Sequence, residues 1–285
     1  MRVLVAGAGG QLGIDTVAAF GAAGDEVFAF DRAGLDITDR SAVLGAVTSL
    51  RPEVVVNCAA WTAVDACESD PDRALLANGT SVRWLAEASD RAGAHLLQLS
   101  TDYVFDGTLD RPYHEHDTPS PRSVYGWSKL KGEQEALVLG AHVTVVRTSW
   151  VCGVHGANMV KTILRLAVER SELSFVDDQV GHPTFSQDLG PLLRRLESDR
   201  VSCVVHSTNQ GACSWFDFAC AVVAAAGLDP RMVRPIATVD LQPARPAPRP
   251  ANSVLDNALL RHAGIPLLRH HRDALAETVG LLLDV

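Results

Sequence analysis

The chain has 285 residues, 47% of them hydrophobic, which is enough for one large domain or two closely joined ones without metal or disulfide staples. A formal charge of −9 and a pI near 5.5 argue against a nucleic-acid or anionic-membrane surface, leaving room for a local anion site of backbone amides and a few arginines. Six cysteines form no CxxC pair, and the apolar run after Met1 is too short for a signal peptide or membrane span, so the expectation is a reduced, soluble, cytoplasmic protein.

Short runs of branched apolar residues predict strands over 3–6, 27–30, 54–57, 95–99 and 143–148. Amphipathic segments between them predict helices over 11–23, 39–50, 72–92 and 125–139. This alternation predicts a Rossmann-like, doubly wound α/β fold with a parallel sheet over residues 1–150. Beyond 150 the pattern loosens. Apolar runs at 173–176 and 203–206 and helices over 158–170, 186–197 and 215–226 predict a smaller C-terminal cap over 151–285, with some segments returning to the sheet. Pro243-Ala-Arg-Pro-Ala-Pro-Arg-Pro250 lacks the backbone donors for regular structure and reads as an extended loop, either a linker or a shaped loop near a ligand.

Gly7-Ala-Gly-Gly10-Gln11-Leu12-Gly13 follows the first strand and opens the first helix, the order a dinucleotide site requires. Gly7 permits a tight turn, Gly10 close approach of a pyrophosphate and Gly13 close helix packing, while the helix start offers free N–H groups. Asp31, ending the second strand, can accept from an adenosine ribose, whereas its neighbour Arg32 could receive a 2′-phosphate, so NADH and NADPH both stay open. Asp36 and Ile37 could hold the adenine edge, and Ala59, Ala60 and Thr62 after the third strand could lie against the cofactor. In Tyr125-Gly-Trp-Ser-Lys129 a phenol and an ammonium share one helix face, where a lysine close to the hydroxyl would lower the tyrosine pKa toward useful acid chemistry.

With the glycine turn, Asn57-Cys-Ala-Ala60, Ser100-Thr-Asp-Tyr-Val-Phe-Asp-Gly107 and the Tyr125 motif in this order, the chain resembles the extended short-chain dehydrogenase/reductases. Leu35-Asp-Ile-Thr-Asp39, Arg147-Thr-Ser-Trp-Val151 and Asp178-Gln-Val-Gly-His-Pro-Thr184 narrow the likeness to the dTDP-4-dehydrorhamnose reductases, over nearly the whole chain. The resemblance implies reduction of the C4 ketone of a dTDP-sugar by NADPH or NADH, with Thr101, Tyr125 and Lys129 catalytic. It also implies that Val64, Asp102, Tyr103 and Trp150 line the sugar pocket and that Asn158 lies nearer the nucleotide. Aromatic packing is the competing role for Tyr103 and Trp150, core packing for Val64 and a helix cap for Asn158.

Some members of the family are dimers joined through Mg2+ held by glutamates. Asp15 stands where one of these would fall, so a homodimer and Mg2+ remain open and no residue is assigned as a metal ligand. His114, His116, His270 and His271 have spacings that suit few metal sites. Two alternatives remain: a nucleotide-sugar epimerase or reductase of another dTDP-deoxysugar, and a non-catalytic dinucleotide-binding subunit resembling the regulatory subunit of methionine adenosyltransferase.

Overall fold

Val3 and Val5 point to one side of the first strand and Leu4 and Ala6 to the other, and all four are fully buried, so helices must cover both faces of the sheet. The computed structural model describes residues 1–139 and 142–284. Its first half runs β1 (Arg2–Ala6), α1 (Gln11–Ala22), β2 (Glu26–Phe30), α2 (Arg40–Leu50), β3 (Val54–Asn57), α3 (Val64–Ser69), α4 (Pro71–Leu75), a π turn (Leu76–Thr80), α5 (Ser81–Ala92), β4 (His95–Thr101), a 3₁₀ turn (Asp102–Val104), α6 (Val124–Leu139) and β5 (Val143–Thr148). There follow β6 (Val151–Cys152), α7 (Met159–Glu169), β7 (Leu173–Val176), β8 (Val180–Gly181), β9 (Thr184–Phe185), α8 (Ser186–Ser198), β10 (Val204–His206), β11 (Cys213–Ser214), α9 (Trp215–Ala225), β12 (Val233–Ile236), α10 (Ala258–His262) and α11 (His271–Leu283).

Six parallel strands form the central sheet in the order β10-β5-β4-β3-β1-β2. The chain order reverses at β1, so the crevice for a ligand opens at the carboxyl ends of β1 and β3. On one face α1 and α8 enclose Val3, Val5, Phe20, Leu189 and Leu193, and on the other α2, α5 and α6 enclose Leu4, Val43, Leu85 and Ala136. A separate core unites α7, α9 and α11 with β7 and β12 around Ile163, Phe185, Phe218 and Val279. No helix among the described residues is long and apolar enough to cross a membrane.

Two segments beyond residue 150 belong to the main sheet and the helices covering it. Helix 186–197 packs against α1, where Gly190 lets the backbones approach, a Cβ there standing only 2.8 Å from the Asp15 carbonyl oxygen. The apolar run at 203–206 supplies β10, the sixth strand of the main sheet. The single helix expected over 72–92 is also broken: Asp70 caps α4 from the side chain, and the chain then widens into the π turn around Asn78 and Gly79 before α5.

Helix α6 is fixed to the sheet by a buried charge pair. Arg147 on β5 donates from Nε and Nη2 to the two oxygens of Glu133, at 2.9 and 2.7 Å, and both side chains are almost wholly enclosed. Ser100 on β4 donates to the same carboxylate, so one group ties three elements together. Removing one partner strands a charge in the interior. Arg147→Met is therefore expected to lower unfolding free energy by about 3–5 kcal/mol, and a denaturant titration showing a loss below about 1 kcal/mol would mean that the pair is effectively solvated.

Candidate active site

At the crevice Gly7 has φ +76°, a left-handed backbone, and a Cβ there would sit 2.6 Å from the Ala59 nitrogen. Gly10 starts α1 with no side-chain cap, leaving the helix N–H groups open, and a Cβ on Gly13 would lie 2.1 Å from the Gly7 carbonyl oxygen. Only glycine fits this cradle. Beside it lies a cavity of about 670 Å³, a size suited to a small organic ligand, lined by Gly7, Gly10, Asp31, Arg32, Asp36, Ile37, Ala59 and Ala60 among others. Bare backbone amides at one end and carboxylate and guanidinium groups at the other fit a dinucleotide.

Within this cavity Asp31 accepts from the Gly34 N–H at 2.9 Å, and exposed Arg32 stands 3.6 Å from Asp36. Asp36 accepts from both the hydroxyl and the amide of Thr38, which holds its carboxyl below the usual range. Trp61 and Arg73 also line the wall, the guanidinium lying 4.2 Å over the indole, although no local pattern marks either. Thr62 lies outside the lining, and Leu12 packs against the sheet core. Gln11 turns away from the cavity: its amide donates to the Val151 carbonyl and accepts from Asn158.

The same contact involves Asn158. Its Oδ1 accepts from Lys161 N–H as the cap of α7, and its Nδ2 donates to Gln11 and to the Gly153 carbonyl. Both ends of the amide serve the scaffold, in keeping with the capping role.

Thr101 ends β4, and Tyr125 and Lys129 lie one turn apart on α6, all three buried. Thr101 Oγ1 donates to Asp102 at 3.0 Å and accepts from the Tyr103 N–H. Burial, the dominant cause, drives the Tyr125 phenol far above its ordinary pKa, with the Thr101 hydroxyl opposing it. The lowering expected from Lys129 is absent, because the same burial brings the lysine itself down to about 8, against the pull of Glu133. Its Nζ donates to the Leu99 carbonyl at 2.7 Å. The site therefore holds a protonated phenol one helical turn from a lysine whose pKa burial lowers to about 8.

Val64 and Tyr103 join Tyr125 in one apolar cluster, with the two tyrosine rings edge to face at 5.6 Å. Burial pushes the Asp102 carboxyl up to about 6, against hydrogen bonds from Ser253 and Thr101. Trp150, just past β5, has φ +46° and is stacked on Trp215 at 3.7 Å and pressed against Gly181. Strained backbone at a non-glycine residue of this size is held only by such surrounding contacts. Trp215, Ser253 and Asn78 were not legible as site residues. Asn78, carried by the π turn, exchanges hydrogen bonds with the Trp61 backbone and donates to Ser128 within the Tyr125 motif. Its nearest signal is Asn78-Gly79 inside a helical pattern.

No group of three or more His, Cys, Asp and Glu side chains arranged to hold a metal occurs among the described residues. Asp15 is 3.7 Å from His155.

Residues 1–283 match the family described as RmlD substrate binding domain. A Streptomyces griseus dTDP-4-dehydrorhamnose reductase is 45% identical over 99% of this chain and 94% of its own length. A Streptomyces niveus dTDP-4-keto-6-deoxy-D-glucose reductase is 41% identical over 99% and 97%. The crystal structure of dTDP-4-dehydrorhamnose reductase from Bacillus anthracis in complex with NADP superposes with a TM-score of 0.94 at 37% identity, covering 97% of this chain and 98% of that one.

A side chain at residue 13 has no room, so Gly13→Ala is expected to weaken NADPH binding at least tenfold and to cost about 1–3 kcal/mol of stability through overpacking. Titration of nicotinamide fluorescence checks the first, and affinity equal to wild type would show that the glycine turn does not carry the cofactor.

Proposed function

Because the chain belongs to the RmlD substrate binding domain family, we propose that it reduces the C4 ketone of dTDP-4-dehydro-L-rhamnose to the alcohol, giving dTDP-L-rhamnose. The observation that carries this reading is the protonated Tyr125 standing with Thr101 at the carboxyl end of β4, one helical turn from Lys129. When bound, the nicotinamide of NADPH or NADH supplies the hydride. Tyr125 gives its phenolic proton to the ketone oxygen, and Thr101 hydrogen-bonds that same oxygen. Lys129, while charged, binds the nicotinamide ribose.

Gly7, Gly10 and Gly13 cradle the pyrophosphate. Asp31 is tied to the Gly34 amide while exposed Arg32 is available to a 2′-phosphate, so this reading accepts both cofactors. Val64, Asp102, Tyr103 and Trp150 enclose the sugar, and the rings of Tyr103 and Trp150 exclude water from the transfer. The Streptomyces niveus relative favours one second reading, in which the ketone belongs to another dTDP-4-keto-6-deoxyhexose. The free cysteines fit a reducing cytoplasm.

Two outcomes test the mechanism. Tyr125→Phe is expected to lower kcat on dTDP-4-dehydro-L-rhamnose roughly 100-fold or more with cofactor affinity little changed, and an unchanged rate would overturn the role of the phenol. For the free enzyme, kcat/KM is expected to fall as pH rises through about 8, where Lys129 gives up its proton, while Tyr125 stays protonated. A profile flat from pH 7 to 10 would exclude a charged Lys129 from cofactor binding.

A further inference from the structure

The proline-rich segment 243–250 has few backbone donors of its own, yet three of its polar groups converge on one carboxylate of the opposite half. Arg249 meets Asp65 with both terminal nitrogens, at 2.5 and 2.9 Å, in a two-pronged pair. The Ala247 N–H donates to the same carboxylate at 3.2 Å, and Arg245 approaches it at 3.4 Å. Asp65 lies in the first turn of α3, immediately after Val64. The Arg249 guanidinium also lies near enough to the Tyr103 hydroxyl for its charge to act on it, and the Tyr103 ring packs against Tyr125, so a contiguous path leads from the anchor to the reacting phenol. Downstream the same segment is stitched in place, with Pro250 filling the space beside Gly107 and the Asn252 N–H donating to the Gly107 carbonyl.

Resting on the reading of the reaction given above, we propose that Asp65 is a positioning residue for the nucleotide sugar: by gathering Arg249, Arg245 and the Ala247 amide it fixes segment 243–250 as a wall over Tyr103. Without that carboxylate the segment keeps only its downstream anchors, and each binding event must order it again. Positioning of this kind acts on sugar binding and leaves proton delivery alone.

Asp65→Asn is the test, since it preserves size while removing the charge and one of the two oxygens that accept from Arg249. The KM for dTDP-4-dehydro-L-rhamnose is expected to rise about tenfold, with kcat and the KM for NADPH within twofold of wild type. Asp65→Glu, which keeps a carboxylate within reach of Arg249, is expected to recover most of the affinity. Hydrogen exchange on the cofactor-free protein supplies a readout independent of turnover: the peptide carrying the Ala247 amide should exchange faster in Asp65→Asn. A KM that stays level or falls, which would make Asp65 a competitor for an incoming anion, overturns the proposal, as does unaltered exchange. A wild-type protein that reduces no C4-keto sugar would instead contradict the proposed reaction, and exchange alone would then decide whether Asp65 anchors the segment.

Discussion

Glu133 is the point on which the catalytic geometry rests. It lies one turn beyond Lys129 on α6, accepts both prongs of Arg147 from β5 and the Ser100 hydroxyl from β4, and so fixes the helix bearing the tyrosine and lysine relative to the strand ending in Thr101. A buried pair of this kind adds little net stability over a hydrophobic replacement, but the cost of breaking it is large, which favours a single docking of helix on sheet. Arg147 also stacks over Phe105 at 5.1 Å, extending the anchor toward the loop that follows Thr101.

Burial then decides the protonation states. A lysine and a tyrosine four residues apart suggest a lowered tyrosine pKa, yet enclosure opposes any charged form and works on both groups at once. The phenol moves up and the ammonium moves down, with the Thr101 hydroxyl opposing the first and the Glu133 carboxylate, ahead of Cys58, opposing the second. For the proton donor proposed for Tyr125 this is the useful direction, since the phenol keeps its proton through neutral pH.

The fold was legible where the physics is local. Strands 54–57 and 143–148 coincide with β3 and β5 because strands buried on both faces read as unbroken apolar runs. The glycine turn was legible because a strand, three glycines and a helix start leave few alternatives. What escaped depends on partners distant in sequence. Amphipathicity marks α8 as buried but cannot say that α1 covers it, and Trp215 matters only because Trp150 folds against it. Asn158 was open to both a ligand contact and a cap, but the hydrogen bond to Gln11, 147 residues away, has no local signal. Spacing placed Tyr125 and Lys129 on one face but could not reveal how deeply that face is buried.

The central claim is that this scaffold delivers a hydride to C4 of a dTDP-linked 4-keto-6-deoxysugar and a proton to its oxygen. The most direct measurement incubates the protein with dTDP-4-dehydro-L-rhamnose and NADPH deuterated at the nicotinamide C4, then locates the label in the product by NMR. Stoichiometric cofactor oxidation and one deuterium on C4 of dTDP-L-rhamnose are expected. Cofactor left unoxidised, or a C4-epimerised product carrying no label, would contradict that claim.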